Sequence, residues 1–559
     1  MPMSNGKGFE LVFVPLGGVG EIGMNLALYG YGPKGAREWI VVDCGVTFPG
    51  PELPGVDLVM PDIRFLEERV GALKGIVITH AHEDHYGALL DLWPRLRAPV
   101  YTTPFTAGLL EAKRAEEGGW APTIPVTIYR AGEHFSIGPF EIEAVAVSHS
   151  IPEPVALAIK TPAGTVIHTG DWKIDPAPEI GPDIDKNRFR ALGDGGVVAL
   201  ICDSTNAMRE GESPSEEAVG ESLRELIQAA PGRVAVTTFS SNVGRIRAVA
   251  EAAAAAGRQV LVLGRSLQRV IDVATELGYL DGLPPFISEE DYAVLPRNRI
   301  VILCTGSQGE PRAALAKLGR DEMRNIALAP GDTVIYSSRV IPGNERAILE
   351  TKNRLIDQGV RVIEDQDALV HVSGHPRRTE LLAMYKWTRP QILIPVHGEA
   401  AHLVAHGALA TAAGVPQVIQ ARNGDLVRLA PGPAEIVEQV PAGRIYKDGR
   451  ILGDAETVGV KERRRLSFTG HVAVNVVLDD RHDLAGDPDL VAIGLPAVTD
   501  RGAPMEERLI EAAVGAVESI ARQRRRDLDL IAEAVRRAVR AAAQEAWGKK
   551  PVVTVFVTR

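Results

Sequence analysis

The segment His80-Ala-His82-Glu-Asp84-His85 constrains this chain more than any other stretch of it. It follows the apolar run Gly75-Ile-Val-Ile-Thr79, which the pattern predicts as a short buried strand. Four side chains able to bind metal fall within six residues. His80 and His82 alternate along an extended loop, so both can face one ion. Asp84 and His85 sit at the next turn and can reach a second. Imidazole with carboxylate suits zinc or manganese, and two adjacent ions suit hydrolysis of a phosphodiester.

Such a cluster needs further ligands from elsewhere in the fold. His149 follows the strand-like run Ile142 to Val147, Asp171 follows Val166-Ile167, and His397 follows Ile392 to Val396. Each stands just past a predicted strand end, where the loops of one sheet converge. Counting donors, one ion takes His80, His82 and His149, and the other takes Asp84, His85 and His397. Asp171 has two oxygens and bridges both. Asp43, after the strand Trp39 to Val42, is expected behind the ligands, orienting a histidine. His168 is expected to be structural.

The first 200 residues alternate strand-like and helix-like runs and predict a mixed α/β sheet covered by helices. From about Ser213 longer helices enter, such as Glu216 to Ala230 and the alanine-rich Arg245 to Ala256. This reads as a second α/β domain inserted into the first. The expected borders are 1–210 for the first part, 211–345 for the insertion, 346–445 for the return, 446–465 for a charged linker and 466–559 for a C-terminal α/β unit. In that last unit, helices from Glu506 to Gln523 and Leu528 to Trp547 carry an amphipathic face. That face either mediates self-association or packs on its own sheet.

At 559 residues the chain has room for several domains. Residues 1–8 lack the apolar core of a leader peptide, and no run is long and apolar enough for a bilayer span, so a cytoplasmic protein is expected. Cys44, Cys202 and Cys304 are scattered and odd in number, which argues against a disulfide framework. A net charge of −11 counts against nucleic-acid binding over the whole surface, though not against a local basic channel. The basic runs Lys461 to Arg465 and Arg522 to Arg526 are read as solvated faces.

Gly18-Val-Gly20-Glu-Ile-Gly23 matches G-x-G-x-x-G, with Asp43 at the spacing a dinucleotide site would want. A Rossmann unit needs a helix directly after the third glycine. Met24 to Tyr29 runs instead into Gly-Tyr-Gly-Pro33, which predicts a tight turn between two strands.

Together the H-x-H-x-D-H cluster, His149, Asp171 and His397 resemble the metallo-β-lactamase fold. Leu16 to Gly23, Cys202 to Asn206, Phe239 to Asn242, Thr305 to Pro311, His371 to His375 and Pro395 to Glu399 resemble signatures of its β-CASP nucleases, specifically the bacterial ribonuclease J family. The resemblance implies an αββα sandwich with an inserted β-CASP domain and a small C-terminal domain. It implies a two-metal ribonuclease, zinc first and manganese second, acting 5′ to 3′ as an exonuclease and also as an endonuclease in RNA maturation and decay. His397 would complete the second metal site and Asp84 would serve catalysis as well as ligation. His375 would be the general acid, oriented by Asp203. His371, Val372, Ser373 and Gly374 would hold phosphate and sugar, with Phe239, Ser240 and Asn242 facing a 5′-monophosphate end. A homodimer or homotetramer without membrane association is expected. Two departures stand out: Met24 where many relatives carry lysine, and Pro376-Arg377-Arg378 where a glycine is common.

Two other functions fit parts of this reading. A two-metal hydrolase of small thioesters or lactones would use the same ligands but has no need of the insertion. A non-catalytic RNA-binding scaffold would have no need of the complete ligand set.

Overall fold

The computed structural model of the chain describes residues 8–341 and 343–559. Residues 1–7, on which the expectation about a leader peptide falls, lie outside the described residues. The described residues form two compact units, one of those up to residue 47 together with 59–444, the other of 48–58 and 445–559.

Two sheets face each other in the first unit. An eight-stranded sheet runs Glu435–Gln439, Asp425–Ala430, Phe9–Gly17, Leu26–Pro33, Glu38–Val42, Leu73–Val77, Val100–Thr102, Val126–Ile128. A seven-stranded sheet runs Gln417–Val418, Ile392–Val396, Ala199–Asp203, Gly164–His168, Val155–Thr161, Phe140–Ala146, His134–Ile137. Their inner faces interlock Leu11, Phe13, Ile40 and Val77 with Ile142, Leu157, Ile201 and Ile394 in one core. On the other side of the second sheet, Leu200 and Leu393 pack against Phe189, Leu381 and Trp387 of two helices. Ile392–Val396 reads as a continuous apolar run because it is covered on both faces. This is the αββα sandwich expected.

Phe9–Gly17 and Leu26–Pro33 pair antiparallel, so the glycine motif is a turn between strands, as predicted, and not the mouth of a helix. Glu38–Val42, Leu73–Val77, Val100–Thr102 and Val126–Ile128 are parallel, as are Gly164–His168, Ala199–Asp203 and Ile392–Val396. Asp43, His80, Asp171 and His397 all follow the carboxyl ends of such strands, where a site collects in an α/β sheet.

The inserted segment forms a parallel five-stranded sheet in the order Gln259–Leu263, Ile300–Cys304, Val234–Thr237, Thr333–Tyr336, Arg361–Ile363. It runs on past residue 345, where the sequence places the return to the first domain. The short edge strand Arg361–Ile363 has too little apolar pattern to announce itself, and only its pairing with Thr333–Tyr336 identifies it.

In the second unit, Asp489–Ile493, His471–Val477 and Val552–Thr558 form a three-stranded sheet. Leu509, Ala513 and Val517 of one helix and Ile531, Val535 and Val539 of another pack on its Val472, Val474 and Val476. The amphipathic helical faces are therefore spent on their own sheet. Its opposite face leaves Val491, Ile493 and Phe556 exposed. Residues 446–465 are not an unstructured linker: a hairpin (Arg444–Asp448, Ile451–Gly453) leads to the helix Val460–Thr469. Arg463 of the first basic run pairs with Asp448, and Arg522 and Arg525 of the second pair with Asp483. Cys44, Cys202 and Cys304 are buried and free. Among the described residues no helix is long and apolar enough to cross a membrane.

Candidate metal and catalytic site

His80 and His82 leave the strand Leu73–Val77 on an extended segment, and His82 precedes the single helical turn Glu83–Tyr86 that carries Asp84 and His85. The neighbouring segment clamps this turn. Cys44 N–H donates to the His85 carbonyl (2.6 Å) and Asn25 N–H to the Asp84 carbonyl (2.9 Å). Gly45 is required there, because a Cβ would overlap the Asp84 carbonyl. Asp43 (φ 64°) and His397 (φ 53°) both sit in the left-handed region directly after their strands. Strain at side chains of this kind is held by the surrounding fold, often where function needs it.

Two donor sets result. His80, His82, His149 and Asp171 bring ligand atoms within 4.8 Å of one another, and Asp84, His85, Asp171 and His397 do the same. These are the two sets proposed from the sequence, with Asp171 common to both. A third grouping of Asp171, Asp203, His375 and His397 adjoins them.

The hydrogen bonds outside the cluster assign the tautomers. His149 Nδ1 faces the Gly374 carbonyl at 2.6 Å and must donate to it. His85 Nδ1 donates to Asp43 Oδ2 at 2.7 Å, and His397 Nδ1 to Asn25 Oδ1 at 3.0 Å. Thr79 Oγ1 donates to Asp43, so it accepts from His80 Nδ1 (2.9 Å). Each outer nitrogen carries the proton, and each inner Nε2 turns a lone pair inward. Lone pairs of His85 and His397 then point at Asp171 Oδ2 across 3.2 and 3.4 Å. Asp171 Oδ1 is buried with no hydrogen-bond partner. Lone pairs converging on a buried carboxylate are repulsive unless a cation lies between them. The donor set therefore fits divalent metal.

Electrostatics follow the same division. Burial pushes His82 down to about 4 and, with neighbouring histidines, holds His80 and His149 well below their usual range. Neutral imidazole is the ligating form. Burial opposes charge on His85, but Asp171, Asp84 and Asp43 outweigh it and raise its pKa, so without a metal ion a proton takes the cation's place on Nε2, and metal binding must displace it. Burial likewise opposes ionisation of Asp171, yet His397, His85 and His375 keep it ionised.

His375 is built differently. Its Nδ1 faces Asp203 Oδ2 at 2.7 Å, and Asp203 is fully buried at the end of its strand. Burial works against its charge, but Asp203 and then Asp171 prevail, and its pKa is pushed up to about 9. A protonated imidazole at neutral pH beside the ligand cluster is equipped to donate a proton.

The substrate-binding expectations divide. Phe239 lies near His371, with ring centroids 6.4 Å apart. Ser373 Oγ accepts from Asn206 Nδ2 at 2.8 Å. The Gly374 carbonyl is engaged by His149. Asn242 is buried, its side-chain oxygen capping the helix Val243–Ala255. The Val372 side chain is buried, leaving only its backbone for a ligand. Ser240 Oγ bonds Ser266 Oγ at 2.9 Å. Burial, with Arg245 and Lys173, pushes His371 down to about 3, so it is neutral. His168 is held by the Tyr29 hydroxyl at 2.8 Å, in keeping with a structural role.

Three residues escaped the sequence reading. Asn25 touches Asp84, His85 and His397, yet its only signal is its place just after the glycine turn. Thr79 links Asp43 to His80. Asn206 ties Ser373 to the His375 carbonyl (3.1 Å).

The sandwich, the inserted parallel domain and the donor set at the strand ends define a metallo-β-lactamase-fold hydrolase of the β-CASP type. The chain matches a beta-lactamase superfamily domain over 38–200, the Ribonuclease J beta-CASP domain over 231–355, a Zn-dependent metallo-hydrolase RNA specificity domain over 359–420 and the Ribonuclease J C-terminal domain over 458–559. It is 64% identical to Ribonuclease J of Sinorhizobium meliloti over 98% of this chain and 97% of that one. Ribonuclease J of Mycolicibacterium smegmatis is 41% identical over 97% and 96%, and that of Helicobacter pylori (strain J99) 36% over 90% and 72%. A solved structure, a protein of unknown function from Enterococcus faecalis, shares the fold with a TM-score of 0.52 at 16% identity, over 75% of this chain and 100% of that one. The chain belongs to the ribonuclease J family and is a metal-dependent ribonuclease.

Proposed function

We propose that this chain is a cytoplasmic two-metal 5′-to-3′ exoribonuclease with endonuclease activity, serving RNA maturation and decay and preferring a 5′-monophosphate end. The observation that carries it is the pair of donor sets sharing Asp171, with the protonated His375–Asp203 pair beside them. His80, His82 and His149 would hold one ion and Asp84, His85 and His397 the other, with the Asp171 carboxylate within reach of both. Zinc is the ion that three neutral imidazoles suit best, with manganese the alternative. Bound divalent cations lower the pKa of a water and offset charge developing on phosphoryl oxygens.

The protein's own part is positioning and proton transfer. His375 gives its proton to the leaving 3′-oxygen, and Asp203 holds its ring and stabilises its charge. His371, Ser373 and the backbone of 372–374 hold phosphate and sugar, with Phe239 and Ser240 toward the 5′ end. A small thioester or lactone substrate is disfavoured, since it would leave the inserted domain without a task. Self-association as a homodimer or homotetramer is supported by the exposed apolar sheet face at Val491, Ile493 and Phe556.

The test uses RNA labelled at its 5′-monophosphate. The proposal expects labelled mononucleotide as the first product, and slower release from 5′-hydroxyl RNA. Label appearing only in longer fragments, at rates indifferent to the 5′ group, would remove the exonuclease reading.

A further inference from the structure

Three arginines of this chain surround the His371–His375 loop without a carboxylate partner. Arg339 Nη1 reaches Asn206 Oδ1 at 3.5 Å, and Asn206 itself holds Ser373 and the His375 carbonyl. Arg377 lies two residues past His375, with a buried Nε that finds no hydrogen-bond partner. Arg209 stands on the loop after Asn206, and its carbonyl accepts from Arg378 N–H at 3.0 Å. The segments 206–209, 339 and 373–378 are thus interlocked around one catalytic loop. Among the described residues, no carboxylate lies within ion-pair distance of these three guanidinium groups. Their neighbour Arg378 differs, since its Nε pairs with Glu210 at 2.9 Å.

Like charges gathered this way carry a cost that folding alone does not explain. Arg209 is held below the usual arginine range, first by partial burial and then by the charge of Arg377, with Asp365 opposing. The whole chain carries a net charge of −11, so its surface as a whole repels a polyanion. A local cationic lip at the catalytic loop is the arrangement that admits a polyanion where it is to be cut. Guanidinium groups are suited to the task, because they present a planar fork to phosphate oxygens.

We propose that Arg209, Arg339 and Arg377 form a clamp for consecutive backbone phosphates of the single RNA strand as it passes the His371–His375 loop. The inference rests on the ribonuclease reading and adds the path of the strand. The arginines meet phosphate, so they carry affinity without sequence preference.

The test measures binding of a fluorescent 5′-monophosphorylated RNA by the full-length protein across a salt series, with chelator present to prevent turnover. The double variant Arg209→Gln/Arg377→Gln is compared with the parent and with Arg378→Gln, whose charge is already taken by Glu210. Metal content and circular dichroism check that each variant is folded. The proposal expects the slope of log K against log salt to fall by ~0.7 for each phosphate that the double variant no longer neutralises. It expects little change for Arg378→Gln. A parental slope in the double variant, or an equal fall in Arg378→Gln, would overturn the clamp. A parent that does not bind RNA here, and does not cleave it once divalent metal is restored, would instead overturn the ribonuclease reading on which it stands.

Discussion

Asp43→Asn separates the hydrogen bond behind the metal ligands from everything else at the site. The Asp43 carboxylate accepts from His85 Nδ1 at 2.7 Å, from Thr79 N–H at 2.8 Å and from Thr79 Oγ1 at 3.0 Å. Its backbone has φ 64°, a region asparagine tolerates well, so the fold should survive the change. One amide oxygen can still accept from Thr79 N–H. The amide nitrogen then faces His85 Nδ1–H, donor against donor. His85 relieves this by moving its proton to Nε2, which removes the lone pair that faces Asp171 and the second ion. Loss of such an outer partner typically costs 10–100-fold in metal affinity, or about 1.4–2.8 kcal/mol. The His80, His82 and His149 set keeps its hydrogen bond to Gly374, and Thr79 Oγ1, 3.1 Å from Oδ1, can still donate to the amide oxygen while accepting from His80 Nδ1, so this set should change less. Titration of the metal-free protein with zinc against a competing chelator would resolve two classes of site. The expected result is one class weakened on the order of tenfold or more and the other nearly unchanged. Two classes with parental affinities would refute the tautomer argument.

His375 is protonated up to about pH 9, so kcat should hold through neutrality and fall above that pH; Asp203→Asn should move this limb to lower pH, and His375→Ala should cost about 10²–10⁴-fold in kcat. The same raised pKa gives a stability increment that is full below the unfolded value near ~6.5 and lost as pH rises through about 9, which denaturant melts across that window would register. In Gly374→Ala the new Cβ would overlap the His149 ring, so the first donor set should lose affinity by about tenfold or more, read by the same chelator competition. Gly45→Ala should destabilise by about 1–3 kcal/mol through its clash with the Asp84 carbonyl, seen as a lowered urea midpoint. Metal removal should lower Tm, with the midpoint rising again as free zinc increases.

Much of this site was legible because its ligands lie where sequence speaks plainly. The H-x-H-x-D-H run is local, and His149, Asp171 and His397 each end an apolar run that is recognisable alone. Asp43 was legible for the same reason. Asn25 was not, because nothing in its neighbourhood marks a polar side chain that will meet His397 from 372 residues away. The β-CASP sheet was legible in its apolar central strands but not at its edge, where Arg361–Ile363 carries a half-exposed pattern. The charged stretch 446–465 misled for a related reason: its arginines look solvated until Arg463 is seen paired with Asp448. Pairing between distant segments is a tertiary fact, and local pattern does not encode it.

The central claim is that two divalent ions share Asp171. Anomalous diffraction at the zinc edge on zinc-loaded crystals, with a 5′-monophosphate nucleotide bound, tests it directly. Two peaks flanking the Asp171 carboxylate, one among His80, His82 and His149 and one among Asp84, His85 and His397, are the predicted result. A single peak, or none within ligand distance of Asp171, would contradict it.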